Sequence, residues 1–204
     1  MWIIKIGGSW IKNPNLNELI KSLNKFKRTQ NIIIVVGGGC FSDSVRSVYR
    51  NKKMSEKTGH FLALKATEMF AFLLKEINNE VSLITEIKSL KKKNNKIKIW
   101  MPSLLLKKDP TFTRSWDSTS DSVAAWLHSK VDSSGLIFVK SLILSEDIYK
   151  LSYLQKKKIL NKKVDKYFSN KKNIKIIGPD IIELLNNYGN WDELFLKFKE
   201  VKFL

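Results

Sequence analysis

Apolar residues alternate between two arrangements along this chain. Short runs rich in Ile and Val occur at residues 2–6, 32–36, 136–139 and 174–177. Unbroken β-branched runs of that length mark strands covered on both faces. Val81–Thr85 and Ile97–Met101 are shorter candidates, the second stopped by Pro102. Between them the apolar positions recur at helical spacing. Leu16, Leu19, Ile20, Leu23 and Phe26 line one face over residues 15–28, after Asn13-Pro14. A helix from about Ser42 carries Val45, Val48 and Tyr49 on one side. A longer one over about residues 56–78 turns Phe61, Leu62, Ala66, Met69, Phe70, Leu73 and Ile77 inward. Residues 118–130 read as an N-capped helix, Ser145 opens a helix to about residue 158, and Asp180 caps one through Tyr188. Phe195 to Leu204 fits strand or helix, and Lys88–Lys96 reads as a mobile loop.

Strands alternating with helices predict an α/β fold, a three-layer αβα sandwich with a mainly parallel central sheet. No Pro/Gly/Ser-rich linker divides the chain, so residues 1–204 are expected to form one domain. Ligands of such sheets bind beyond the carboxyl ends of the strands.

Composition narrows the classes. With 204 residues and 43% hydrophobic content the chain can bury a sizeable core. Its one cysteine, Cys40, excludes an internal disulfide framework and a Cys-rich zinc site. No apolar stretch approaches the roughly 18 residues of a membrane span. The start, Met-Trp-Ile-Ile-Lys, reads as a strand and not as a signal peptide, so a cytoplasmic location is expected. The net charge of +18 comes almost entirely from lysine. Its clusters, at Lys91–Lys93, Lys156–Lys158 and Lys171-Lys172, sit beside Asn in expected loops and helix faces. This reads as a solvated basic surface that draws in small anionic substrates. Nucleic-acid binding is the weaker reading, since few arginines are present for base recognition.

The chemistry collects at the ends of two strands. Lys5 precedes Gly7-Gly8-Ser9, and Val35-Val36 runs into Gly37-Gly38-Gly39. Glycine lets backbone N–H groups approach anionic oxygens, and a nearby lysine adds fixed positive charge. Phosphoryl transfer needs just these elements, positioning and charge neutralisation. Neither G-x-x-x-x-G-K-[ST] nor G-x-G-x-x-G is present, so a Walker-type or dinucleotide site is not supported. A third element runs from Trp116 to Leu127, where a Ser/Thr/Asp cluster enters an Ala-rich helix. Asp121 there is either a first-turn carboxylate favoured by the helix dipole or a group that orients a lysine or a magnesium complex.

Together K-I-G-G-S at 5–9, V-V-G-G-G at 35–39 and T-S-D-S-V-A-A-W-L at 119–127 resemble the amino acid kinase family. The resemblance implies transfer of the γ-phosphoryl of ATP, as its Mg2+ complex, to a carboxylate or phosphate oxygen. It implies that Lys5 contacts the moving phosphoryl group and that Asp121 orients Lys5 and helps organise Mg2+–ATP. Gly7, Gly8 and Ser9 would hold nucleotide phosphates. Gly37, Gly38 and Gly39 would hold the acceptor, with Ser120 and Arg114 lining its pocket. Residues 1–130 would then form the acceptor and phosphoryl lobe and residues 131–204 a reduced nucleotide lobe. V-D-K-Y-F at 164–168 and the strand that follows resemble a small archaeal and methylotroph branch, in which an aminomethylfuran phosphate is phosphorylated on the way to methanofuran. Many family members carry T-D-V-D-G-[VI]-[YF] after a late strand. This chain has Val139-Lys140-Ser141-Leu142-Ile143-Leu144 there, with Lys140 as a replacement positive charge for the nucleotide. The acceptor is expected to be a small anion and the protein a homo-oligomer. The alternative is a non-catalytic ligand-binding or regulatory protein on the same fold.

Overall fold

The computed structural model describes residues 1–168 and 173–203. Among these, β1 (Trp2–Ile6), β2 (Ile32–Val36), β3 (Val81–Ile84), β4 (Ile97–Trp100), β5 (Gly135–Val139), β6 (Ile148–Lys150), β7 (Ile174–Ile177) and β8 (Lys199–Lys202) form one sheet in the order β3-β4-β2-β1-β5-β7-β8-β6. All neighbouring pairs are parallel except β7 with β8. The helices are α1 (Leu16–Asn24), α2 (Gly39–Asn51), α3 (Glu56–Ile77), α4 (Ile87–Leu90), α5 (Ser103–Lys108), α6 (Ser120–Lys130), α7 (Leu151–Lys156), α8 (Ile181–Asn187) and α9 (Trp191–Leu196), with 3-10 turns at Gly8–Lys12 and Asp165–Tyr167.

The sheet is covered on both faces, and β1 shows how its sequence divides between them. Trp2, Ile4 and Ile6 join the core under α1, α3, α8 and α9. Ile3 joins the opposite core, with Val123, Ala124 and Leu127 of α6. Side chains alternate along a strand, so Lys5 shares the α6 face with Ile3. From β1 the chain builds outward through β2 on one side and later through β5 on the other. The strand order therefore reverses between β1 and β5, where open α/β sheets place their ligand crevice.

Several expectations change. The helix from Ser145 to residue 158 is instead the strand β6 followed by the short α7. Tyr149, buried there, pairs opposite Val201, so sheet pairing overrides the local helical pattern. The ambiguous tail resolves over residues 195–203 into the end of α9 and the strand β8, Leu204 lying outside the described residues. Lys88–Lys96 is partly ordered, because buried Leu90 ends α4 and its carbonyl accepts from Asn31 and from Lys98. Val48 and Met69 are about half exposed, and with Phe72 they line an apolar groove of about 630 Å3 between α2 and α3. The inward face of α3 is Leu64, Ala66, Phe70, Ala71 and Leu74, with Leu73 and Ile77 partly buried against the core as expected. His128, near the end of α6, is buried, with Nδ1 2.6 Å from the Ser133 hydroxyl, because α6 is enclosed on nearly all sides. Lys171-Lys172 lie outside the described residues. Among the described residues no helix is long and apolar enough to cross a membrane.

Candidate active site

The site forms where β1, β2 and β5 end side by side. In the sheet register Ile6 lies opposite Val36 on one side and Val139 on the other. The pairing runs one step further through Gly7 N–H to the Val139 carbonyl (3.0 Å) and Gly37 N–H to the Ile6 carbonyl (2.9 Å). The two glycine loops then pack directly against each other. A Cβ on Gly8 would overlap the backbone of Gly39, and one on Gly37 would overlap that of Gly8. Gly39 also sits at φ +49°, a region that side-chain-bearing residues rarely adopt. The loops therefore need glycine first to meet each other, whatever ligand comes later. The 3-10 turn begins at Gly8 and α2 at Gly39, so two chain segments open their N-terminal ends at this rim. Such ends favour anions.

Lys5 lies across from Phe138 in β5, and Lys140 stands one pleat beyond Phe138 on the same face. Both lysines therefore reach toward the start of α6. There Thr119 caps the helix, its hydroxyl accepting from Asp121 N–H (3.4 Å), and Asp121 occupies the first turn. Lys5 Nζ lies 2.7 Å from Asp121 Oδ1. Lys140 Nζ donates to both carboxylate oxygens, at 2.9 and 3.0 Å. All three side chains are buried. Burial opposes ionisation of Asp121, but the two ammoniums outweigh it and hold the carboxyl at about 2. Burial also acts on Lys140, against the pull of Asp121 and with the repulsion of Lys5, and lowers it to about 8. Two ammoniums share one carboxylate, so one buried positive charge lacks a counterion among the described residues. An uncompensated buried charge costs several kcal/mol, which an anionic ligand would relieve.

Beside this cluster is a cavity of about 580 Å3. Its floor is Lys5, Gly7, Gly8, Ser9 and Lys140, and its wall is Ser141, Leu142, Tyr153, Lys157, Lys158 and Ile159. Ser9 and Ser141 hydroxyls are hydrogen-bonded at 2.6 Å, tying the β1 loop to the segment after β5. Lys157 and Lys158 are exposed, as solvent lysines, and also border this open cavity. The left-handed backbone at Lys158 (φ +57°) turns the chain just past α7 and was the kind of feature a sequence does not display.

A smaller cavity of about 50 Å3 lies on the other side of the glycine triplet, against Gly38, Ser42, Arg46, His60, Trp116 and Ser120. Ser120, at the start of α6, lies on this lining. Arg114 is not part of this lining: it is exposed and donates to the Lys107 carbonyl at 2.6 Å. The arginine at the cavity is Arg46, on α2, paired with Asp43 at 2.7 Å. Helical periodicity alone gave no sign that this face of α2 meets the loop before α6. Among the described residues no group of three or more His, Cys, Asp or Glu could hold a metal. Asp121 already has a lysine on each oxygen. With its oxygens so engaged, Asp121 is not free to hold a metal ion by itself.

A family model described as the amino acid kinase family matches residues 1–183. The chain belongs to that family. Among curated proteins it is 29% identical, over 152 residues, to [5-(aminomethyl)furan-3-yl]methyl phosphate kinase from Methanocaldococcus jannaschii. That match covers 72% of this chain and 66% of the relative, just under two thirds of its length. Solved structures of several kinases share the fold. Uridylate kinase from Archaeoglobus fulgidus superposes with a TM-score of 0.67 at 16% identity, covering 91% of this chain and 95% of that one. UMP kinase from Ureaplasma parvum gives 0.65 at 17% identity, with 98% and 97% covered. Aspartate kinase from Synechocystis gives 0.63 at 10% identity, with 87% of this chain and 38% of that one covered. Amino acid kinases are phosphotransferases, and the sheet rim just described is where the buried Lys5 and Lys140 meet Asp121.

Proposed function

We propose that this amino acid kinase transfers the γ-phosphoryl of Mg2+–ATP to a phosphate or carboxylate oxygen, and that its acceptor is an aminomethylfuran phosphate or a close analogue. The observation that carries the reading is the Lys5–Asp121–Lys140 cluster at the mouth of the glycine loops, with its one unneutralised positive charge. The larger cavity supports the nucleotide side. Leu142, Tyr153 and Ile159 offer apolar surface for a base, while Lys5, Lys140, Lys157 and Lys158 offer charge for phosphates.

In this reading Lys5 neutralises the charge that builds on the moving phosphoryl group, and Asp121 keeps Lys5 in place. Lys140, locked by two hydrogen bonds to the same carboxylate, supplies a second positive charge. Gly7, Gly8 and Ser9 hold nucleotide phosphates, and Gly37–Gly39 and Ser120 border the acceptor. Magnesium, carried by ATP, spreads charge over the phosphates. An acceptor oxygen that is already ionised needs no general base. The aminomethylfuran acceptor rests on the 29% identical relative.

Titration calorimetry with a non-hydrolysable ATP analogue and Mg2+ tests the nucleotide half, with binding below the millimolar range expected. No heat at millimolar ligand would overturn it. A screen for ADP release across phosphorylated furans, acidic amino acids and nucleoside monophosphates then reads the acceptor. Turnover confined to either of the latter two classes would reject the furan assignment.

A further inference from the structure

The small cavity behind Gly38 contains more unmet hydrogen-bonding capacity than its size explains. Among the described residues, His60 Nδ1, Ser118 Oγ and Trp116 Nε1 are buried without a hydrogen-bond partner. All three residues line the same cavity. His60 is buried at the start of α3, and its Nε2 lies 2.9 Å from the Ser118 carbonyl. A carbonyl can only accept, so Nε2 carries the proton and Nδ1 of the neutral ring is an acceptor. Burial pushes His60 below its ordinary value, which keeps the ring neutral at physiological pH. Trp116 is held in place by packing on Tyr49, with ring centroids 4.9 Å apart, and by Glu56 accepting from its backbone N–H at 3.1 Å. Buried polar groups left unpaired are costly, so such a set implies an occupant.

Position says what that occupant belongs to. The cavity touches Gly38 and Ser120, whose neighbours Gly39 and Asp121 belong to the cationic cluster's surroundings. An acceptor with its reacting oxygen at the glycine loops would extend its far end here. We propose that this cavity is the subsite for a hydrogen-bonding group at the non-reacting end of the acceptor, an amine or a hydroxyl, which donates to His60 Nδ1 and Ser118 Oγ, a hydroxyl oxygen also accepting from Trp116 Nε1. About 50 Å3 accommodates one such group and excludes a second ring. The proposal rests on the kinase reading, and it makes His60 a residue that selects the acceptor rather than one that moves a proton to it. Arg46 also borders the cavity, but its charge is engaged by Asp43.

The test compares three acceptors differing at one substituent of the furanylmethyl phosphate: aminomethyl, hydroxymethyl and methyl. Both donor-bearing compounds are expected to exceed the methyl compound at least 10-fold in kcat/KM, because the methyl strands the buried acceptors. The ratio of the two donors says whether an amine or a hydroxyl is the natural group. His60→Ala is expected to erase the preference, and Ser118→Ala, which retains the backbone carbonyl, to reduce it. Binding of the ATP analogue should stay unchanged in both. Equal use of the methyl compound by the unmodified protein would show that the cavity holds only an ordered water, and overturn the proposal. So would a preference that survives in His60→Ala. If no compound turns over, calorimetric binding of the same three acceptors reads the subsite directly. Failure of ATP-analogue binding, by contrast, would strike the kinase reading on which the subsite rests, and is told apart from loss of the substituent preference.

Discussion

Lys140 grips both carboxylate oxygens of Asp121, while Lys5 contacts only one. The difference follows from the sheet: Lys140 stands one pleat farther along the rim than Lys5, opposite a glycine with no side chain to intervene. Lys140 thereby fixes the carboxylate, and Lys5 keeps hydrogen-bonding capacity for a ligand. This arrangement makes Lys5 the group to test first.

Lys5→Met should lower phosphoryl transfer by about 10^2-fold or more, as removal of a preorganised charge-stabilising donor does elsewhere. Affinity for the ATP analogue should change much less, because Lys140, Lys157 and Lys158 remain. Steady-state kinetics and calorimetry on a variant with an unchanged circular dichroism spectrum provide the check. Full activity in that variant would support a non-catalytic role for the site.

Asp121→Asn should cost about 3 kcal/mol in urea unfolding, since it leaves two buried ammoniums facing each other without an anion. Adding Lys140→Met should recover part of that loss, because one of the two repelling charges is gone. The coupling is the measured quantity: additive losses would show that the two residues do not share one electrostatic cluster.

Acid should weaken the fold through Asp121. Its carboxyl is held at about 2, below the unfolded value of 3.8. The stabilisation is complete above the unfolded value and is lost as pH falls through the folded one. A shift of nearly two units corresponds to about 2 kcal/mol. The urea midpoint should fall between pH 5 and pH 2, and fall less in Asp121→Asn.

Base should weaken nucleotide capture through Lys140. Its folded value of about 8 lies below the 10.5 of an unfolded chain, so the unfolded state binds more protons between them. Stability therefore gains from Lys140 as pH rises through that window, the reverse of a paired lysine's usual contribution. Function should move the other way. The neutral amine no longer attracts phosphate, so kcat/KM for ATP should decline above about pH 8. Lys140→Arg, always charged, should flatten that limb.

The glycines differ in a way that stability measurements can separate. Gly8→Ala places a methyl against the backbone of Gly39, where no rotamer change relieves it, and should cost about 2 kcal/mol or more with loss of ATP-analogue binding. Gly7→Ala meets its nearest atom, the Val139 carbonyl oxygen, at 3.4 Å and should change stability by less than about 1 kcal/mol. Thermal melts of the two variants give the comparison.

Much of this was legible along the chain. Runs of Ile and Val marked the central strands, because a strand buried on both faces has no polar position to spare. The glycine loops and Lys5 stood out because glycine and charge are out of place at the end of such a run. Asp121 was visible as a first-turn carboxylate. The sequence by itself thus determined the layers, the parallel sheet and the rim at which chemistry collects. Tertiary structure decided the rest. It paired Lys140 with Asp121, turned Lys157 and Lys158 into cavity walls, replaced Arg114 with Arg46, and made a strand of residues read as helix. The physical reason is common to all four. Periodicity reports which face of an element is buried, whereas a counterion, a cavity or a strand partner comes from distant parts of the chain, and only packing brings them within a few ångströms.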